Sequence, residues 1–190
     1  MPLLSRAASM GARALGWGSG YTKAPMIRTG STGNITNVGS GYTLDSFDDA
    51  TFAYLNAGKT DGQWYWEAVS IDFNMYGITT TPSTNRTWAG YSTANAGIYT
   101  FGGQFWNQWG TVPSAAGNVN PGSVLGFALD VPGKTLAIYK NNTLLDTLPL
   151  TSISGAIYPI FGFQTPTGTS TIRLGPGACQ YSPPSGYRHI

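Results

Sequence analysis

The sequence predicts an all-β fold: a bent antiparallel sandwich of two sheets over residues 31–190, preceded by an N-terminal arm over residues 1–30. Three observations carry that expectation. From about Ile35 onward, short runs rich in Val, Ile, Tyr, Phe, Trp and Thr alternate with Gly, Pro and Asn punctuation. Helical periodicity is almost absent. Two tight turns can be placed on residues whose backbone preferences call for them.

The expected strands are Thr51 to Leu55, Trp64 to Ile71, Thr87 to Ser92, Ile98 to Phe101, Val124 to Val131, Thr135 to Lys140, Thr143 to Leu148, Ile157 to Gln164 and Ser170 to Leu174. Many short strands with regular turns point to a sandwich or barrel. Pro132-Gly133 lies between LGFALDV and KTLAIYK, where Pro presets φ and Gly supplies a positive φ, so the flanking strands should pair antiparallel. Asn141-Asn142 turns the chain again, since Asn tolerates the left-handed region of a type I′ turn. The result is a three-stranded meander from Val124 to about Leu148.

A chain of 190 residues fits one domain. A body of about 150 residues buries roughly 68–70% of its unfolded surface, which suffices without disulfides. Cys179, the one cysteine, excludes an intramolecular disulfide and a thiolate metal cluster. Charged residues are 9% and hydrophobic residues 41%, the reverse of a disordered composition. The surface must therefore be covered by Thr, Ser, Asn, Gln and Gly. The net charge of +2 includes no Lys/Arg run, so the electrostatic footprint of a nucleic-acid binder is missing. No run reaches the 18 or so apolar residues of a membrane-spanning helix. A soluble chain with no membrane insertion is expected.

The first twenty residues hold Arg6 and Arg13 among Ala, Ser and Gly, with no acid before Asp45, a composition resembling a mitochondrial transit peptide. Their apolar runs are too short for a secretory signal. The preferred reading is an arm seated in a groove of a neighbouring subunit through Leu3, Leu4, Arg6, Arg13 and Trp17.

A series of motifs then appears in a fixed order: Gly62-Gln63-Trp64-Tyr65-Trp66-Glu67, Trp88-Ala89-Gly90-Tyr91-Ser92, Gly126-Phe127-Ala128-Leu129-Asp130, Leu136-Ala137-Ile138-Tyr139-Lys140-Asn141-Asn142, Ile157-Tyr158-Pro159-Ile160, Ile172-Arg173-Leu174-Gly175 and Pro183-Pro184-Ser185-Gly186-Tyr187. This order resembles that of SPRY domains across roughly Ile35 to Tyr187. Asn142 departs from the Gly that the family favours, though both residues accept positive φ. The resemblance implies a SPRY, concanavalin-like jelly-roll sandwich that binds partners through loops at one rim and carries no catalysis. Trp64, Trp66 and Trp88 occupy positions that the family uses for its core.

Catalytic chemistry is hard to assemble from this inventory. Glycosidases need two carboxylates flanking the bond, and Glu67 is the only glutamate, inside an expected core strand. Asp45, Asp48 and Asp49 could offer oxygen ligands to Ca²⁺, but the preferred reading is a solvated turn. Asp72 and Asp130 end strands and read as turn residues. Cys179 with His189 would be a nucleophile and base held too near a chain end for fixed geometry. No metal and no cofactor are expected. Asn34, Asn85 and Asn141 match the glycosylation pattern, which arises often by chance in an Asn- and Thr-rich chain.

Two stretches suit a binding rim. GGQFWNQWGTVP places Phe105, Trp106, Asn107 and Trp109 in a loop-like setting, where aromatic anchors offer large area at low entropy cost, or else cap the open end of the sandwich. The polar segment Asn74 to Arg86 reads as a long loop bearing Tyr76 and Arg86. The function expected is that of a non-catalytic bacteriophage virion protein: a capsid decoration, head fibre or tail-associated adhesion module. Its arm would hold other virion proteins within a homo-oligomer or larger assembly, and its rim would meet a host-surface glycan or protein. The alternatives are a cellular adaptor that captures a protein or peptide, and a carbohydrate-active enzyme on a related sandwich.

Overall fold

The computed structural model describes residues 23–30, 33–45, 51–70, 74–82, 92–108, 110–112, 119–163 and 168–190. The expectations placed on Leu3, Leu4, Arg6, Arg13, Trp17, Asp48, Asp49, Asp72, Asn85, Arg86, Trp88 and Trp109 lie outside these residues, as does all of the strand expected at 87–92 except Ser92.

Two sheets face each other. One has seven strands in the order β1 (Met26–Thr29), β4 (Thr51–Leu55), β13 (Tyr158–Phe163), β6 (Asn74–Thr79), β7 (Asn95–Tyr99), β8 (Gln104–Asn107) and β9 (Gly110–Val112). The other runs β12 (Thr143–Pro149), β11 (Thr135–Lys140), β10 (Val124–Asp130), β5 (Gln63–Val69), β14 (Thr169–Arg173), β3 (Gly41–Asp45) and β2 (Asn34–Val38). Every pairing along both orders is antiparallel. β15 (Arg188–His189) runs parallel to β5 from Trp64 to Tyr65, past the end of β14. Among the described residues the only helical element is a 3₁₀ turn, Phe101–Gly103.

Alternation puts the core between the sheets. Trp66 on β5 stands directly opposite Phe127 on β10, and their rings stack at 5.4 Å with 10° between planes. Leu44, Leu55, Ile78, Ile98, Leu136 and Ile172 pack into the same cluster. Polar bonds tie the layers at one end: the Tyr76 hydroxyl lies 2.9 Å from Ser170 Oγ and accepts from Asn74 Nδ2, while Ser170 Oγ donates to the Val69 carbonyl. Those partners allow the hydroxyls to be buried without the desolvation penalty of unsatisfied groups.

Three differences from the sequence reading have physical reasons. Asn74 to Thr79, expected as polar loop, is a buried strand held between β13 and β7. Its Gly77 is a close-approach residue, since a Cβ there would come within 2.0 Å of the Ala96 carbonyl oxygen. Met26–Thr29 belongs to a sheet, so the sandwich begins inside the segment assigned to the arm. In the first hairpin the positive φ falls on Lys134 at 50°, not on Gly133. Gly133 is there for space, because a Cβ would meet the Asp130 carboxyl group that accepts its own N–H. The second hairpin is as expected, with Asn141 and Asn142 at φ 48° and 67°.

Candidate functional site

The register puts one set of strand ends together: Leu55, Gln63, Asp130, Thr135, Pro149 and Tyr158 all lie at the same end of the sandwich. Connections leaving that end surround an open depression of about 360 Å³. Val131, Pro132, Leu150, Ile153 and Ile157 give it an apolar lining, and Thr60, Asp61, Lys134 and Ser154 supply polar groups. Its walls are fixed by backbone bonds: Lys59 and Ile157 exchange both of theirs, and Leu150 N donates to the Lys134 carbonyl. The end of β8 and the residue after it brace the outer wall, with Asn107 Nδ2 and Gln108 Nε2 both donating to the Pro149 carbonyl and Gln108 Oε1 accepting from Ser152 N.

Beside this depression stands Trp64. Its indole N–H donates to the Asp61 carbonyl at 2.7 Å, which fixes the ring against the wall. Lys59 Nζ lies 3.8 Å from the ring centroid and the Arg188 guanidinium carbon 4.7 Å away. Burial, together with the positive charge of Arg188, holds the Lys59 ammonium below its ordinary range. The carboxylates of Asp61 and Asp130 are used locally: Asp61 Oδ1 accepts from Gly62 N, while Asp130 accepts from Gly133 N and from Gln63 Nε2.

A second polar cluster lies on the outer face of the β5 sheet, under the segment 175–190. Glu67 is fully buried. Its Oε1 accepts from the Tyr65 hydroxyl at 3.0 Å and Tyr181 N at 2.8 Å; its Oε2 accepts from Gln180 N at 2.7 Å and faces Arg173 Nη1 at 3.5 Å. Both oxygens are therefore occupied in clamping the closing segment to the sheet. Tyr65, Ala128 and Ala137 form a small apolar cluster there, with Cys179 and Tyr187 packed on it. Burial and the Glu67 charge push the Cys179 thiol up to about 12, and the same causes raise the Tyr65 hydroxyl. A thiol so protonated is a poor nucleophile.

The predicted rim residues part company in this frame. Tyr76 and Phe105 are core side chains, 0% and 1% exposed, so their assignment to a binding rim is corrected: the period-2 alternation turns both inward. Trp106 points to the opposite face, half-buried against Phe52, Met75 and Ile160. Asn107 holds the depression's wall through Pro149. Trp64, expected in the core, is only partly buried and belongs to the loop end. Lys59, Lys134 and Arg188 escaped sequence reasoning; the one signal that could have found them is the scarcity of Lys and Arg, 10 in the whole chain.

No family model matches the sequence, and no curated protein matches it. Solved structures do. The SPRY domain of human HERC1 is similar with a TM-score of 0.61 over 74% of this chain and 90% of that one, at 14% identity. The fold is SPRY-like. The TRIM65 PSpry domain matches with a TM-score of 0.52 over 68% of this chain and 78% of that one, at 17% identity. Stonustoxin matches with a TM-score of 0.50 over 64% of this chain at 23% identity, and the SPRY-like sandwich spans only 20% of that chain. These likenesses bear on fold, and they agree with the motif order read from the sequence.

Proposed function

We propose that this chain is a non-catalytic binding module of a bacteriophage virion, held to capsid or tail proteins by its N-terminal arm and engaging a partner through the loop end beside Trp64. The observation that carries the binding reading is the depression between Thr60, Pro132 and Ile153: a concave surface shared by aliphatic and polar groups and framed by braced connections suits recognition of a partner. Absence of catalysis is supported by Glu67, the only glutamate, whose two oxygens are engaged by Tyr65, Gln180, Tyr181 and Arg173. A glycosidase pair would need a second carboxylate and an accessible first one.

Placement in a virion is supported by the polar surface, with 9% charged residues, and by the Gly- and Ala-rich arm. The test is electron microscopy of purified particles with an antibody raised to this chain. Labelling at a fixed position on head or tail is expected, and particles without label would end the virion reading. The adaptor alternative uses the same loop end, and recovery of one host protein with the chain, abolished by substitutions in the depression, would favour it. Deleting residues 1–20 should leave a folded monomer that no longer assembles; an unfolded product would make the arm part of the core.

A further inference from the structure

Several basic side chains of the sandwich are spent on oxygen partners. Lys23 donates to the carbonyls of Gly39 and Gly41, Arg28 to that of Gly33, and Arg173 meets Glu67 and Gln180. Among the described residues, Lys59, Lys134 and Arg188 meet no oxygen acceptor through their side chains, and all three stand at the loop end. Lys59 and Arg188 both lie against the Trp64 indole and feel each other's positive charge, a repulsion that an arriving anion would relieve. We propose that the loop end is a receptor for an acidic peptide segment of a protein partner, with one carboxylate bound between Lys59 and Arg188 and an adjoining aliphatic side chain seated against Val131, Pro132 and Ile153.

This deepens the reading of the loop end as a binding surface and rests on it. Charge complementarity picks the occupant. The ammonium and guanidinium N–H groups are unspent, and charge-assisted bonds to a carboxylate are the strong kind. A sugar acid is disfavoured, because its ring carries hydroxyls on every side while aliphatic side chains line the depression. The depression's aliphatic lining instead suits Leu, Ile or Val. Asp61 at its rim would reject a second acid at that position, which orients the peptide.

The experiment is a ¹⁵N NMR titration of the full chain with the capped dipeptide Ac-Glu-Leu-NH₂, its neutral counterpart Ac-Gln-Leu-NH₂, sodium sulfate and galacturonic acid. The acidic dipeptide should shift the amides of Lys59, Asp61, Trp64, Lys134, Ser154 and Arg188 and bind about tenfold more tightly than the neutral one. Added salt should weaken that binding. Lys59→Gln and Arg188→Gln should each bring it toward the neutral value, with the melting temperature recorded on the same samples to show that each variant is folded. Equal binding of both dipeptides at these amides would overturn the carboxylate site while leaving the loop-end reading intact. Shifts confined to other residues would sink both. Sulfate or galacturonic acid binding more tightly than the acidic dipeptide would overturn the peptide as occupant.

Discussion

Two charged clusters of this sandwich differ in one respect that separates scaffold from surface. Around Glu67 the charges are matched: a carboxylate with no exposure is satisfied by a hydroxyl, two backbone N–H groups and a guanidinium. Around Trp64 they are unmatched, with two cations sharing one indole and no carboxylate in ion-pair range among the described residues. A matched buried cluster has its binding capacity used up inside the molecule, and its loss is felt as instability. An unmatched, partly exposed one adds little to folding and keeps its capacity for a partner.

The strongest challenge to that contrast is Glu67→Gln. The amide would turn its NH₂ toward the backbone N–H of either Gln180 or Tyr181, and a loss of about 3 kcal/mol is expected in denaturant unfolding, within the usual range for breaking a buried pair. Unchanged stability would mean that the clamp on residues 175–190 is idle. Tyr76→Phe probes a matched network without charge and should cost about 1–2 kcal/mol by the same measurement, because Asn74 and Ser170 lose a partner inside the core.

A smaller effect is expected from His189, which packs at 6.3 Å from the Tyr65 ring in the strand beside β5. Burial lowers its pKa from 6.5, and the Glu67 charge opposes that shift in part. With the folded value depressed, protons bind the unfolded chain more readily, so the His189 contribution is complete above about pH 6.5 and fades as pH falls from there through the lower folded value. Melting curves of the wild type and His189→Gln should therefore differ more at pH 7.5 than at pH 5. A gap that is constant with pH would remove the titration from the account. The mildest perturbation is chemical: Cys179, its thiol raised to about 12, should resist alkylation at pH 8 in the native state and react once denaturant is added. Fast labelling of the native chain would show that the closing segment is open.

What the sequence discloses follows the same division. Strands such as Gln63–Val69 and Val124–Asp130 are legible because aromatic and aliphatic runs bounded by turn residues mark well-buried strands. So is the Asn141-Asn142 turn, where the residues themselves accept the positive φ that the hairpin requires. The polar edge strand Asn34–Val38 leaves little pattern, since most of it is exposed and one of its edges is unpaired among the described residues. Asn74–Thr79 reads as loop because it opens the polar segment that runs to Arg86, while the close approach that Gly77 allows depends on Ala96 across the sheet. The loop-end site is hidden for a related reason. Lys59, Trp64, Pro132, Ile153 and Arg188 come to one end only through the topology, and single cations close to Gly58 and Gly186 carry no spacing signal.

The central claim, that matched charge holds this molecule together while unmatched charge at the loop end awaits a partner, is tested most directly on the double variant Lys59→Gln/Arg188→Gln. Thermal unfolding and acidic-dipeptide binding are measured on one sample. The account predicts a melting curve that overlays the wild type and binding weakened by about tenfold or more. A melting temperature lowered by several degrees with binding unchanged would contradict it, and would make Lys59 and Arg188 part of the scaffold.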